Sequence, residues 1–402
     1  MISVSEAQKT ILTRAKKNRQ VEVNLREAAS FFLAENILSD RDIPPFNRVT
    51  MDGFAVKCSD FTDGQARLKL IGTFAAGDSA KVRLKKGEAL AIMTGSPLPE
   101  GADSVVKVEN SSTDKDWVIL KETSIKPGLN VARCGEDAKK GITLLGAGTK
   151  ITPSTAALCA SVGKTTVKVH GKPKIKILST GSEIVEAEQV PLFHQIRDCN
   201  SYALQAYCKN LGVNAEVLGI TRDEKEKLAE MIKAGLQSDI LLLSGGVSMG
   251  EYDFVPKVLK EFGITEVFHK AKIRPGKPVW FGEGSEGNFV FGLPGNPVSV
   301  QVNFKIFVEP LIRKISGSPT SAPSYLKVPL KNKIEKPNDL EYFLPAKLVE
   351  EDNQTFAQTI SYHGSGDYFS VALSQGLVRF PGGLNQIHAN EIVDFLPWDS
   401  YL

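Results

Sequence analysis

Ile240-Leu241-Leu242-Leu243-Ser244-Gly245-Gly246-Val247-Ser248-Met249-Gly250-Glu251-Tyr252-Asp253 is the stretch whose reading decides the fold. Its aliphatic run has no polar face, so a strand over 239–244 is expected to be buried on both sides, as in a parallel sheet covered by two helical layers. The three glycines that follow permit a sharp turn, leave backbone N–H groups free to approach an anion, and point into the positive end of a following helix. The turn is not the dinucleotide G-x-G-x-x-G, nor a P-loop, which needs Lys after its glycine. Two readings stand: an anion site, or a plain strand-to-helix turn capped by Asp253.

On either side of this stretch, strands are expected at 174–179, 214–220 and 288–291. They alternate with helices at 201–211, 223–236 and 254–262 and a longer one from Pro297 to about Gly317. Alternation at this spacing predicts a three-layer, doubly wound α/β domain over residues 172–322. Ser316 to Pro323 reads as a linker, and strands at 326–330, 343–348 and 392–395 form a C-terminal β domain over 323–402. Short β-branched runs at 67–73, 90–94, 104–108 and 117–120 form a β-rich domain over 46–139. Ser3 with Glu6 is a capping box ahead of Val4, Ala7, Ile11 and Ala15, and a second helix is expected over 25–38 before Pro44 and Pro45 stop it. Extended pieces at 149–153 and 165–170 flank a helix from Ser154, and join residues 1–45 with 140–171 into an N-terminal domain packed on those helices.

A chain of 402 residues exceeds the roughly 100–200 of one domain, consistent with several folding units. With 42% hydrophobic and 24% charged residues, it is neither disordered nor fibrous. A formal charge of +3 is too small for a nucleic-acid coat, so no nucleic-acid partner is expected. No apolar run reaches the roughly 18 residues of a membrane span and the N-terminus lacks a signal core, so a cytoplasmic location with no membrane contact is expected. Five widely spaced cysteines without C-x-x-C, and five scattered histidines, suggest reduced, mostly buried thiols and no zinc cage.

In open α/β sheets ligands bind beyond the carboxyl ends of the strands, which directs attention to four loops. Ser179-Thr180-Gly181-Ser182-Glu183 offers hydroxyls and amides to phosphate and a carboxylate to magnesium, or is a simple turn. Ser244, Gly245, Gly246 and Ser248 form the second loop. In Gly292-Leu293-Pro294-Gly295-Asn296-Pro297-Val298-Ser299, Pro297 suits a first helical turn whose free amides and Ser299 hydroxyl face an oxyanion, unless the turn merely aims the helix. Lys270-Ala271-Lys272-Ile273-Arg274-Pro275-Gly276-Lys277-Pro278 is a stiff basic loop suited to phosphate or a similar oxyanion, or a surface charge run. Asp198-Cys199-Asn200-Ser201 and Asp223 read alone as helix caps; with Glu183 and Asp253 they supply carboxylates for a hard cation.

The ordered set Met51-Asp52-Gly53-Phe54-Ala55-Val56, Met93-Thr94-Gly95-Ser96-Pro97-Leu98-Pro99, Gly101-Ala102-Asp103, Gly135-Glu136-Asp137, Ser179-Thr180-Gly181, Ser244 to Gly250, Pro275-Gly276-Lys277-Pro278 and Gly292 to Pro297 resembles the molybdopterin molybdenumtransferases, relatives of the gephyrin E domain. The resemblance spans nearly the whole chain. It implies an α/β multidomain fold with an elongated N-terminal domain and a small C-terminal β-barrel. It also implies a homodimer in which Asp52 and Thr94 complete the partner's site.

The implied reaction inserts molybdenum from molybdate into adenylylated molybdopterin, releasing AMP, with Mg²⁺ as cofactor; molybdate against tungstate stays open. By the same resemblance Glu183, Asp223 and Asp253 serve magnesium or phosphate chemistry, and Asp52 and Thr94 lie near the reacting centre. Ser179, Thr180, Gly181, Asp198, Asn200, Ser244, Gly245, Gly246, Ser248, Lys270, Arg274, Lys277, Pro294, Gly295, Asn296, Pro297 and Ser299 bind substrate anions. Ser182 stands where relatives commonly carry Asp, removing one carboxylate, and Cys199 replaces a usual Ser or Thr. The adenylyltransferase that makes the substrate is an expected transient partner. It is also the rival enzymatic reading, and a non-catalytic gephyrin-like scaffold is the rival of another class.

Overall fold

In a computed structural model the chain is described over residues 1–75, 77, 82–222, 224–246, 254–336, 339–361 and 363–399. It divides into two compact units, one of Met1–Glu35, Gly148–Ala156 and Thr166–Leu402, the other of Asn36–Ala147 and Ala157–Thr165.

The first unit is organised by a six-stranded sheet. Its strands are Ile175–Thr180 (β1), Ala215–Thr221 (β2), Ile240–Ser244 (β3), Thr265–His269 (β4), Trp280–Glu283 (β5) and Phe289–Leu293 (β6), in the order β2-β1-β3-β6-β5-β4. The first four in that order are parallel, as the aliphatic run predicts, whereas β5 runs antiparallel to both of its neighbours, β6 and β4, and makes the sheet mixed. The two extra strands escaped sequence reading because each is short and flanked by the basic segment or by glycines.

Residues of β1, β3 and β6 alternate between two faces, the period-2 consequence of pleating. Ile175, Ile177, Ile240, Leu242, Phe289 and Phe291 pack against helices Val4–Arg14 (α1), Asn200–Asn210 (α2), Pro297–Asn303 and Glu309–Ile315. Leu178, Leu241, Leu243 and Val290 pack against Lys225–Gly235 (α3) and Val255–Glu261 (α4). The three layers are therefore those expected.

At the N-terminus of α1 the capping box forms: the Ser3 amide donates to Glu6 Oε2 at 3.0 Å and the Glu6 amide donates to Ser3 Oγ at 3.3 Å. The helix expected over 25–38 does not form. Only a 3₁₀ turn, Leu25–Glu27, is present, and Ser30 holds a left-handed φ of 65°. The amides of Ser30, Leu33 and Ala34 donate instead to the carbonyls of Ile151, Thr149 and Lys168, so tertiary pairing takes the bonds a helix would have used. The expected packing of 165–170 on helices is likewise a strand pairing, Thr166–His170 antiparallel to Gln20–Asn24.

The helix predicted after Pro297 is interrupted at Phe304–Val308 by a π-helical turn with all five residues buried. That widening carries Lys305 into the interior. Lys305 Nζ lies 2.8 Å from Glu309 Oε2 and donates to the Trp398 carbonyl at 2.7 Å, while Arg313 Nε donates to Glu309 Oε1 at 2.8 Å. Ser316 and Ser318, read as linker, are buried at the end of this helix, and the exposed connection begins at Pro319. Strands Leu326–Pro329, Glu341–Glu351, Gln354–Thr359, Gly376–Phe380 and Ile392–Pro397 then form the expected barrel, closed by a bridge from Leu330 to Ala357.

The second unit carries another six-stranded sheet, ordered Ser104–Lys107, Gly53–Val56, Glu88–Ile92, Gln65–Phe74, Trp117–Lys121, Ser111–Asp114, in agreement with the β-rich reading.

Glu309 is the only carboxylate within ion-pair distance of Lys305 among the described residues. Glu309→Ala is therefore expected to cost about 3–5 kcal/mol, and Glu309→Gln less, because the amide still accepts hydrogen bonds. Urea unfolding at neutral pH measures both, and a loss below about 1 kcal/mol for the alanine variant would contradict this account.

Candidate active site

The sheet order places β1 between β2 and β3, so the connections leaving β1 and β3 diverge and open a crevice at the carboxyl ends of the strands. Those ends are level: Ser179 pairs with Ser244, and Ser244 with Leu293. A cavity of about 420 Å³ lies there, lined by Ser179, Thr180, Gly181, Glu183, Asp198, Asn200, Ser244, Gly245, Gly246, Gly295, Asn296 and Pro297. The structure thus brings together twelve of the expected site residues from four separate segments. Its size is that of a small-molecule site, roughly 300–1,000 Å³.

Asp198 organises the crevice. Buried, it accepts the Ser179 hydroxyl on Oδ2 at 2.7 Å and the amides of Asn200 and Ser201 on Oδ1 at 3.0 and 3.1 Å. The cap reading and the site reading are both met, because the same carboxylate caps α2 and forms the cavity wall. Asn200 completes the frame by donating from Nδ2 to Ser244 Oγ at 2.9 Å and to the Gly295 carbonyl at 2.7 Å.

The glycine turn is shaped to Thr180. At φ 92° a Cβ on Gly245 would lie 2.3 Å from the Thr180 carbonyl oxygen, and at φ 63° one on Gly246 would lie 2.6 Å from Thr180 Oγ1. Thr180 Oγ1 is buried with no hydrogen-bond partner among the described residues. A buried hydroxyl without a partner is costly, and this one sits in the cavity wall beside Glu183, where a phosphate oxygen or a hard cation would satisfy it. Among the described residues no three His, Cys, Asp or Glu side chains converge on a metal position. The donors that fit a hard cation here are the Glu183 carboxylate and the Thr180 hydroxyl, since three hydrogen bonds already occupy Asp198. Asp223, Asp253 and Ser248 lie outside the described residues.

Other expected residues are placed differently. Pro294 and Ser299 do not line the cavity, and Ser299 is buried in the helix. Pro297 does open that helix, but the amide of Val298 donates to the Ser365 carbonyl at 3.1 Å and is not free for an oxyanion. The basic segment, read as a stiff loop, is partly a strand edge. Ile273–Arg274 pairs in parallel with Glu341 and Tyr342 of the barrel, Ala271 and Ile273 are buried, and the Gly276 carbonyl accepts from Asn303 Nδ2 at 3.0 Å. Lys270, Arg274 and Lys277 line no part of this cavity.

In the second unit, Asp52 precedes strand Gly53–Val56 and Thr94 follows strand Glu88–Ile92. These strands pair antiparallel, and the Thr94 amide donates to Asp52 Oδ1 at 2.7 Å. That amide first, and the Thr94 side chain second, hold the Asp52 carboxyl below its ordinary pKa.

Ile184, Ile196, Arg197 and Cys199 also line the cavity and were not singled out from sequence, apart from the note on Cys199. Their signal is slight: Ile184–Val185 and Ile196–Arg197 are two-residue strands that pair in parallel across a loop whose Val190, Leu192 and Phe193 are exposed. The expectation of mostly buried thiols is met at two of the five cysteines, Cys159 and Cys208, while Cys58 and Cys134 are half-buried and Cys199 is exposed. Desolvation, and then the Asp198 charge, raise its pKa and keep the thiol neutral.

Family models match three consecutive parts of the chain: the MoeA N-terminal region (domain I and II) at residues 2–163, a "Probable molybdopterin binding domain" at 176–314, and the MoeA C-terminal region (domain IV) at 327–398. The molybdopterin molybdenumtransferase of Synechocystis is 33% identical over 99% of this chain and 100% of its own length. That of Haemophilus influenzae is 32% identical over the full length of both. A crystal structure of the molybdopterin biosynthesis MoeA protein from Pyrococcus horikoshii superposes over 100% of both chains with a TM-score of 0.81 at 32% identity, and a second reaches 0.83 at 29%. Such end-to-end likeness goes well beyond a shared α/β layer, and the chain belongs to the molybdopterin molybdenumtransferase family.

Proposed function

We propose that the chain is a molybdopterin molybdenumtransferase that takes adenylylated molybdopterin and molybdate, inserts molybdenum at the dithiolene sulfurs and releases AMP. The observation carrying this reading is the crevice at the divergence of β1 and β3, lined by glycine turns, hydroxyls and Glu183, where the buried Thr180 hydroxyl has no hydrogen-bond partner among the described residues. The relatives that match from end to end bear the transferase name, whereas the adenylyltransferase reading accounts only for the α/β part and the scaffold reading leaves the crevice unused.

In this proposal the Thr180 hydroxyl and the Gly246 amide orient the phosphate, the Gly245 amide itself donating to the Leu293 carbonyl at 3.0 Å, and Asp198 and Asn200 keep the loops in register. Glu183, with Asp223 and Asp253, would hold a magnesium ion, which when bound neutralises phosphate charge and polarises the scissile bond. Lys270, Arg274 and Lys277, away from the crevice wall, belong to anion capture outside it, whereas Ser299 is buried in its helix. Asp52 and Thr94 act near the reacting centre of a second subunit in a homodimer. The four-domain division with boundaries near residues 45, 139, 171 and 322, transient contact with the adenylyltransferase, and a cytoplasmic location complete the proposal. No helix among the described residues is long and apolar enough to cross a membrane.

Purified protein given adenylylated molybdopterin, magnesium and molybdate should release AMP and yield active cofactor; intact substrate after long incubation rejects the assignment. Asp52→Ala and Glu183→Ala should each lower turnover roughly 100-fold or more, as for loss of a charge that stabilises a transition state, while light scattering still reports a dimer. Unchanged turnover in both removes them from the site. Because Thr94 depresses the Asp52 pKa, that carboxyl stays ionised above about pH 4. Any acid limb of the rate profile above that pH should therefore persist unshifted in Asp52→Glu, and a limb shifted by the substitution would assign it to residue 52.

A further inference from the structure

A second cavity, of about 590 Å³, lies in the first unit and shares no residue with the crevice. The two adjoin opposite ends of α2: Asn200 faces the crevice, and Tyr207 and Asn210 face this one. Its walls include Phe32, Tyr207 and Trp398. Tyr207 is held rigid, stacked on Phe304 at 5.1 Å, tilted against Trp398 at 6.1 Å and donating its hydroxyl to Gln301 Oε1 at 2.8 Å.

The charge of the lining is unbalanced. Lys150, Lys305 and Arg313 face it together with Glu309 and Asp399, and the one Glu309 carboxylate serves both Lys305 and Arg313. Lys172 stands close by over the Phe31 ring, its pKa lowered by burial and by Lys150, so the surroundings are positive as well. Ser316 lines the cavity, is buried, and its hydroxyl has no hydrogen-bond partner among the described residues.

Each feature narrows the occupant. A bare tetrahedral oxyanion would fill a small part of the volume and ignore the aromatic walls. A neutral apolar molecule would leave the Ser316 hydroxyl unpaired and the excess positive charge unanswered. A flat ring with one acidic group meets all four conditions, since aromatic faces accept rings and a charged oxygen makes the stronger hydrogen bond.

We propose that this cavity is a second binding site for a planar aromatic monoanion of bicyclic size, its ring against Phe32, Tyr207 and Trp398 and its acid group toward Lys150 and the Ser316 hydroxyl. The site is independent of the molybdenumtransferase reading and stands or falls separately from the AMP-release assay.

Calorimetric titration of the full chain with 2-naphthoate tests it, with neutral 2-naphthamide as comparison. One saturable site per chain is expected, with the amide weaker by roughly tenfold or more. Lys150→Glu, an exposed position that should not disturb folding, and Ser316→Ala should each weaken naphthoate binding to a similar degree, with melting curves confirming folded protein. Glu183→Ala should bind as the parent does. No saturable heat at millimolar naphthoate, equal affinity for acid and amide, or binding lost in Glu183→Ala yet kept in Lys150→Glu would each overturn the proposal.

Discussion

The crevice depends on one buried carboxylate. Taking Asp198 out of water is costly, and the cost is offset because three donors, one hydroxyl and two helix amides, converge on its two oxygens. The Ser179 bond ties the carboxylate to the end of β1, and the amide bonds tie it to the first turn of α2. With Asn200 bridging Ser244 and Gly295, the ends of β1, β3 and β6 and the start of α2 become a single frame. Remove the acceptor and the strand end, the helix cap and the loop register loosen together. A site made from turns needs such a brace, because turns lack a ladder of their own.

Asp198 and Glu309 show two ways of burying a carboxylate. Asp198 is neutralised by dipoles and stays next to a ligand cavity, where a fixed cation would compete with an incoming magnesium ion or cationic group. Glu309 is neutralised by whole charges, Lys305 and Arg313, and stands in the wall of the other cavity with one positive charge left over. The first arrangement keeps hard-cation chemistry open at the strand ends; the second leaves an anion-seeking surface at the far end of α2. Both follow from local sequence: an Asp two residues ahead of a helix start, and a Lys-x-x-x-Glu-x-x-x-Arg spacing that places three charges on one helical face.

Much of the α/β architecture was legible for a simple reason. Ile240 to Leu243 have no polar face, and only a strand covered on both sides accommodates that, so neighbouring strands and helices fell into place around it. The capping box at Ser3 and the helix start at Pro297 were legible because each is settled within four residues. What could not be read was settled by distant partners. Residues 25–38 have helical composition, yet their amides are claimed by Ile151, Thr149 and Lys168, more than a hundred residues away. The basic segment reads as a stiff loop, and nothing within it reveals that Ile273–Arg274 pairs with Glu341–Tyr342.

The candidate site divides along the same line. Thr180, Glu183, Gly245 and Gly295 were visible as strand-end polar and glycine residues, and a parallel sheet brings strand ends to one edge whatever the lengths of the connections between them. Ile196 and Arg197 were not, because a two-residue strand paired across a loop has no periodicity to detect. Asp52 and Thr94, 42 residues apart, meet through the antiparallel pairing of Gly53 with Ile92, and in isolation each looks like a turn residue. A sequence shows which residues carry chemistry sooner than it shows which of them share a wall. The exception is where the sheet itself does the gathering, and that is why the crevice between β1 and β3 could be anticipated while the cavity at the far end of α2, assembled from a π turn, a barrel strand end and an N-terminal loop, could not.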